Sequence, residues 1–302
     1  MKVLIADGIE KQGAEILKEA GFEIVLEKYS PEELLQKIPE FDAIMVRSAT
    51  KVTKEVIDAG IKLKAIARGG VGLDNIDVQY AKSKNIPVLN TPGASSISVA
   101  ELAIGHMFAV SRFLHLSNTE MRQGKWPKKE YSKGVELTNK TLGILGFGNI
   151  GREVAKRALG LGMTVVAFDP FVNETDLNVK LVTKDELIEQ SDYITLHMPL
   201  IKAEGPSITS KEFAKMKDGV IIIQCARGGV VSEKDLLEAL NSGKVAYAAL
   251  DVFESEPPTD AQKDVINHPK VSVTPHIGAS TVEAQTRVGI EIAQKVVNVL
   301  KS

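Results

Sequence analysis

The sequence predicts an α/β fold built on two doubly wound parallel sheets. Short apolar runs alternate with helix-patterned segments from one end of the chain to the other, the series restarts near Thr141, and one long apolar segment divides the two halves. At 302 residues the chain is long enough for two cores, since a single core rarely grows past about 250–300 residues.

The first series of expected strands is Val3–Ala6, Ile24–Leu26, Ala43–Val46, Ala65–Ala67 and Val88–Leu89. They are apolar runs rather than alternating ones, the pattern of strands buried on both faces of a parallel sheet. Ser30-Pro31-Glu32-Glu33 is a helix start, with a serine cap, a proline at the first helical position and a glutamate to close a capping box. The second series is Thr141–Leu145, Thr164–Phe168, Tyr193–Leu196, Val220–Gln224, Ala246–Leu250 and Val271–Val273. Thr183 with Glu186 and Thr209 with Glu212 are two further capping boxes between these strands.

The break between the series falls between about Thr91 and Asn139. Residues 96–124 read as one long helix whose apolar positions (Val99, Leu102, Ala103, Met107, Val110, Leu114) exceed what one face of a surface helix needs. Burial between domains and a subunit interface both account for that excess, so a homodimer is expected. A polar stretch from Lys125 to Gly134 follows and carries the only tryptophan, Trp126.

Composition excludes several classes. Apolar content of 44% and charged content of 25% are ordinary for a globular enzyme, and a net charge of −2 argues against nucleic-acid binding. The single cysteine, Cys225, excludes an intramolecular disulfide and fits a reducing compartment. Met1-Lys2 leads only into Val3–Ala6 before Asp7, too short for a secretory segment, and Ser95–Ser111 contains Glu101 and His106 and falls short of a span. A soluble cytoplasmic protein with no membrane partner is the expectation. No His/Cys/Asp spacing suggests a metal site.

Gly146-Phe147-Gly148-Asn149-Ile150-Gly151 follows the strand Thr141–Leu145 and opens a helix, the context a dinucleotide fingerprint requires. Gly146 permits the tight turn, Gly148 lets a pyrophosphate approach the backbone, and Gly151 lets helix and strand pack closely. The helix N-terminus offers N–H groups and a positive dipole end to phosphates. Asp169 ends the next strand, eighteen residues after Gly151, where a carboxylate binds ribose hydroxyls and repels the 2′-phosphate of NADP. Residues 170–174 hold no arginine to compensate, so NAD is the expected cofactor.

Three polar residues follow later strands: Arg227 in Cys225-Ala226-Arg227-Gly228-Gly229, Glu256 in Asp251-Val252-Phe253-Glu254-Ser255-Glu256-Pro257, and His276 in Thr274-Pro275-His276-Ile277-Gly278. Hydride transfer to a 2-oxo acid needs such a set. A guanidinium holds the carboxylate and polarises the ketone, a histidine delivers the proton, and a carboxylate stabilises the imidazolium. His106, His115 and His268 read as packing, interface or turn residues, and Cys225 as a packed thiol beside the cofactor.

With these residues in view, the chain resembles the D-2-hydroxyacid dehydrogenase family over nearly its whole length, and most of all its phosphoglycerate dehydrogenase branch. The resemblance rests on Val46-Arg47-Ser48-Ala49-Thr50, Arg68-Gly69-Gly70-Val71-Gly72-Leu73-Asp74-Asn75, Asn90-Thr91-Pro92-Gly93, Val99-Ala100-Glu101-Leu102, the glycine fingerprint and the three loops just named. It implies that Arg227, Glu256 and His276 are catalytic. It also implies cofactor contacts at Asn149, Ile150, Asp169, Met198, Cys225, Ala226, Asp251, Gly278 and Ala279. It further implies a Rossmann NAD-binding domain, residues 93–279, inserted into a flavodoxin-like substrate domain of residues 1–92 and 280–302, completed by a C-terminal helix. Residues 199–206 depart from the family's pattern around Glu204 and Pro206 in lacking its threonine. The C-terminal regulatory domain of long phosphoglycerate dehydrogenases has no counterpart in the sequence, so feedback through it is not expected.

Arg47 and Arg68, with Lys51, are candidates to hold a phosphate at the far end of the substrate. They turn the preference to 3-phospho-D-glycerate and 3-phosphohydroxypyruvate, the first step of the phosphorylated serine pathway. The alternatives are a glyoxylate or hydroxypyruvate reductase and, in another class, an NAD-sensing corepressor-like binding protein, since fold alone does not decide function.

Overall fold

A strand four residues long and apolar throughout needs cover on both faces, and both sheets are built to supply it. The computed structural model describes Met1–Ser302. The chain divides into two units, Met1–Ser96 with Ala279–Ser302, and Ile97–Gly278.

The first unit runs β1 (Lys2–Ile5), α1 (Lys11–Glu19), β2 (Glu23–Leu26), α2 (Pro31–Lys37), β3 (Ala43–Val46), α3 (Lys54–Ala59), β4 (Ala65–Arg68), α4 (Val78–Ser83) and β5 (Val88–Leu89). The strands lie in the order β2-β1-β3-β4-β5, all parallel. Alternate residues face opposite ways. Leu4, Ile44 and Ile66 therefore join Leu34, Ile38, Val56 and Ile57 on one face, while Val3, Ile5, Met45 and Ala67 meet Leu17 on the other.

The second unit runs α5 (Ser96–Ser111), α6 (Leu114–Arg122), β6 (Thr141–Leu145), α7 (Asn149–Gly160), β7 (Thr164–Phe168), β8 (Lys180–Leu181), α8 (Lys184–Gln190), β9 (Tyr193–Leu196), α9 (Ser210–Lys215), β10 (Val220–Gln224), α10 (Glu233–Ser242), β11 (Val245–Leu250), α11 (Lys263–Ile266) and β12 (Val271–Val273). Its seven strands, also all parallel, lie in the order β12-β11-β10-β9-β6-β7-β8. The last helix, α12 (Val282–Lys301), returns to the first unit, where Ile292, Ala293, Val296 and Leu300 complete the cluster around Leu17. The capping boxes at Ser30, Thr183 and Thr209 all form, because each needs only a side chain reaching three residues along its own chain.

Two expectations need correction. Residues 96–124 are not one helix: α5 and α6 meet at a 66° bend. Phe113 sits at the bend in the left-handed region, φ 55° and ψ 32°, and is 8% exposed. Its ring lies 5.6 Å from that of Tyr131 and 5.5 Å from that of Tyr247, contacts that offset the cost of the left-handed backbone and that no local periodicity reveals. The sheet also gains β8, a two-residue strand too short to show a pattern. α5 buries Val99, Ala100, Ala103, Met107 and Val110 against Leu142, Ile144, Val154 and Ile223, and leaves Phe108 exposed.

Candidate functional site

Doubly wound sheets bind ligands beyond the carboxyl ends of their strands, where the strand order reverses. In the second unit that point lies between β6 and β9. The glycine turn follows β6. Gly146 has φ +91°, and a Cβ there would lie 2.7 Å from the carbonyl carbon of His197, just past β9. A Cβ on Gly151 would lie 2.2 Å from the Gly146 carbonyl oxygen, so α7 can approach β6 only with glycine at that position. Gly148 is the N-cap of α7, brings no capping side chain and borders open space. Asp169, beyond β7, is pinned to this turn: its Oδ2 accepts from the Phe147 N–H and its Oδ1 from the Phe171 N–H, both at 2.9 Å. An open helix end, a turn with no side chain in the way and a fixed carboxylate fit a dinucleotide.

Met198, half-buried, follows β9, while Cys225 and Ala226, both buried, follow β10. Burial pushes the Cys225 thiol far above its ordinary range, and the charge of Asp251 adds to the effect, so Cys225 is no thiolate nucleophile. His197, which the sequence reading passes over, sets Nε2 against Thr195 Oγ1 at 2.9 Å and encloses Nδ1 without a partner. Burial drives its pKa down to about 3.

The remaining residues follow the adjacent strands β10, β11 and β12. Arg227 lies on the loop past β10, where a Cβ on Gly228 would come 1.6 Å from the Phe253 carbonyl oxygen. Only glycine lets that loop press on the one that carries Glu256. Arg227 donates from Nη1 to the Ala226 carbonyl at 2.8 Å. Glu256 accepts from the Phe253 N–H at 3.1 Å and from His276 Nδ1 at 2.6 Å. The Glu256 and His276 side chains are 35% and 48% exposed, so the pair is reachable from solvent. Burial raises the Glu256 carboxyl, but the His276 hydrogen bond and charge, the Phe253 N–H and the charge of Arg227 outweigh it and hold the group below the usual carboxylate range. The three expected residues are thus brought together.

Three further carboxylates steady these loops. Asp251, buried past β11, accepts from the consecutive N–H groups of Ile277 and Gly278, just after His276. Glu233, the first residue of α10, and Glu254 exchange hydrogen bonds reciprocally, each side chain accepting from the other's backbone N–H at 2.6 and 3.0 Å. The sequence marks Glu233 only as a first-turn acid; nothing local names its partner.

In the first unit the order reverses between β1 and β3. Asp7, past β1, accepts from the N–H groups of Arg47 and Thr50 and from the Thr50 hydroxyl. Arg68 donates from Nε to the Arg47 carbonyl at 3.1 Å and from Nη1 to the Gly72 carbonyl at 2.5 Å. Arg47 donates from Nη2 to Gln285 of α12, whose own amide donates to the Ala279 carbonyl at 2.6 Å. An open cavity of about 560 Å³ is bordered here by Asp7, Glu10, Arg47, Ser48, Ser280 and Gln285.

Known proteins match this chain closely. The family model for the NAD-binding domain of D-isomer specific 2-hydroxyacid dehydrogenases matches residues 104–278. A hydroxypyruvate reductase of Thermotoga maritima is 52% identical over 297 residues, covering 98% of this chain and 97% of that protein. A D-3-phosphoglycerate dehydrogenase of Archaeoglobus fulgidus is 46% identical over 305 residues, and the match covers all of this chain but 58% of that protein. The chain therefore spans little more than half the length of that relative. Among solved structures, a glyoxylate reductase from Paecilomyes thermophila superposes with a TM-score of 0.90 at 34% identity, covering 98% of this chain and 94% of that one.

Proposed function

The chain belongs to the D-isomer specific 2-hydroxyacid dehydrogenase family, and on that premise we propose that it interconverts a three-carbon 2-oxo acid of the hydroxypyruvate type and its 2-hydroxy acid. The observation that carries the chemistry is the 2.6 Å contact from His276 Nδ1 to Glu256, within the field of Arg227. With Nδ1 engaged, Nε2 is the atom of His276 that exchanges a proton with the substrate oxygen. The Glu256 carboxylate stabilises the imidazolium while that proton is held. Arg227 binds the substrate carboxylate and polarises the adjacent carbonyl. The Gly146–Gly151 turn, the start of α7 and Asp169 would hold NAD, which would supply the hydride transferred at C2. In reduction His276 gives its proton to the substrate oxygen, and in oxidation it takes that proton back.

Two observations favour hydroxypyruvate over its 3-phosphate. The relative matched nearly end to end is a hydroxypyruvate reductase, and Arg68 already commits Nε and Nη1 to backbone carbonyls. The phosphorylated substrate is the second reading, favoured by Arg47, which borders the open cavity at the switch point of the first sheet. The test is kcat/KM for hydroxypyruvate, 3-phosphohydroxypyruvate, glyoxylate and pyruvate in wild type, Arg47→Ala and Arg68→Ala. A wild-type preference for the phosphorylated substrate, lost by about tenfold in Arg47→Ala, would establish the second reading. No turnover of any member would favour a binding protein instead.

The exposed Phe108, Leu114, Met121 and Trp126 support a homodimer through α5, α6 and the segment after them. Sedimentation checks this: a stable 32.7 kDa species at micromolar concentration would contradict it.

A further inference from the structure

The loop that carries His276 is anchored by a buried polar chain that the reaction scheme above does not use. Asp251 is 1% exposed, and its carboxylate accepts from the Ile277 N–H at 2.8 Å, the Gly278 N–H at 2.9 Å and the Thr274 hydroxyl at 2.6 Å. Three donors converge on this one carboxyl group, which accepts from each of them. Thr274 has one hydroxyl proton, and it goes to Asp251. Its other partner, His106 Nε2 at 3.0 Å, must then be the donor. The polarity of the chain is thereby set from His106 to Thr274 to Asp251.

His106 lies on α5 and is 3% exposed. Burial pushes its imidazole below the ordinary range; the charge of Asp251 opposes that shift and His115 adds to it. A neutral imidazole carries one ring proton, and the chain places it on Nε2. At the other end, His276 has φ +53°, a backbone region disfavoured for any residue with a Cβ. The residues immediately after it are held by Asp251, and its own N–H donates to the Thr274 carbonyl at 3.1 Å. His276 keeps this conformation because both flanks are tied to the same carboxylate.

We propose that His106 is a positioning residue for His276, the end donor of a His106–Thr274–Asp251 chain that holds the His276 loop in its left-handed turn. The proposal rests on the reading of His276 as the acid–base group. It changes the role expected for His106 from packing to orientation of a carboxylate one step from the reaction.

The test begins with the unmodified protein labelled with 15N-histidine, where the resonances missing from His106→Leu identify His106. The expected state is the neutral Nε2–H tautomer; an Nδ1–H tautomer would overturn the proposal. His106→Leu and Thr274→Val should each lower kcat on the order of tenfold, the scale of one buried hydrogen bond, with KM for NAD little changed. His106→Gln, which keeps a side-chain N–H at similar reach, should recover most of kcat. The double variant His106→Leu/Thr274→Val should be no slower than Thr274→Val alone. A His106→Gln as slow as His106→Leu, or additive losses in the double variant, would leave His106 as packing only and sink the proposal. Unchanged turnover in His276→Ala would instead overturn the acid–base reading. Unchanged turnover in His106→Leu beside a crippled His276→Ala would overturn this inference alone.

Discussion

The two sheets follow one rule of construction, and their switch points have different characters. At the first, between β1 and β3, polar groups are wired to one another: Asp7 holds two N–H groups and a hydroxyl, Arg68 bridges two carbonyls, and Asn75 reaches the carbonyls of Arg47 and Thr50. In the second sheet, the cap residue of α7 at the switch point past β6 offers no side chain, and the His276–Glu256 pair, past β11 and β12, stands partly open to solvent. One end is a loop scaffold held by charged side chains; the other presents reactive groups on a scaffold held by glycines and buried carboxylates. Substitutions in the second should therefore change chemistry with little loss of stability, and substitutions in the first should do the reverse.

The largest test of that contrast is His276→Ala. It should lower kcat roughly a hundredfold or more, the usual scale for a general acid, while the unfolding midpoint stays near wild type because the side chain is half-exposed. A large loss of stability with turnover intact would invert the comparison. Arg68→Ala probes the other end: it takes the Arg68 donor from the Gly72 carbonyl and one of two donors from the Arg47 carbonyl, which keeps Asn75, and denaturant unfolding should show a loss of about 1–3 kcal/mol. Stability equal to wild type would mean the wiring contributes nothing.

Asp169→Ala should weaken NAD binding and narrow the preference for NAD over NADP by about tenfold, ~1.4 kcal/mol, read from kcat/KM with both cofactors. Because Asp169 also accepts from the Phe147 N–H, part of the loss should appear with NADP as well. Equal wild-type turnover with the two cofactors would remove Asp169 from selection.

The smallest effect expected is on stability in Glu256→Gln, and it depends on pH. The folded protein holds the Glu256 carboxyl below its ordinary value of 4.5. Its ionised form then stabilises the fold fully above that value, and the contribution is lost as pH falls through the lower folded-state value. Unfolding midpoints of wild type and Glu256→Gln should differ at neutral pH and converge in acid below that value. A gap that persists there would show that charge pairing is not its source.

Much of the fold is legible in the residues. Runs such as Ala43–Val46 and Val220–Gln224 announce strands because parallel strands buried on both faces cannot alternate. The box at Thr259 and Gln262 shows the same signature as the three recognised ones, so the signal was present there too. The glycine turn reads well because its demands are steric and local: Gly151 lies five residues from the oxygen it must clear. Glu233 with Glu254 and Thr274 with Asp251 do not read at all, since their partners stand 21 and 23 residues apart.

The sequence by itself determined most of the strands and the capped helix starts, which turn suits a dinucleotide, and which three residue types stand past β10, β11 and β12. Those features depend on side-chain period, capping reach and glycine sterics, all of which act within a few residues. The tertiary structure alone decided the bend at Phe113, the left-handed backbone of His276 and the buried link from His106 to Asp251. Each holds a locally unfavourable or polar element in place through contacts between residues remote in the chain, and such contacts exist only once the sheet has brought those residues together.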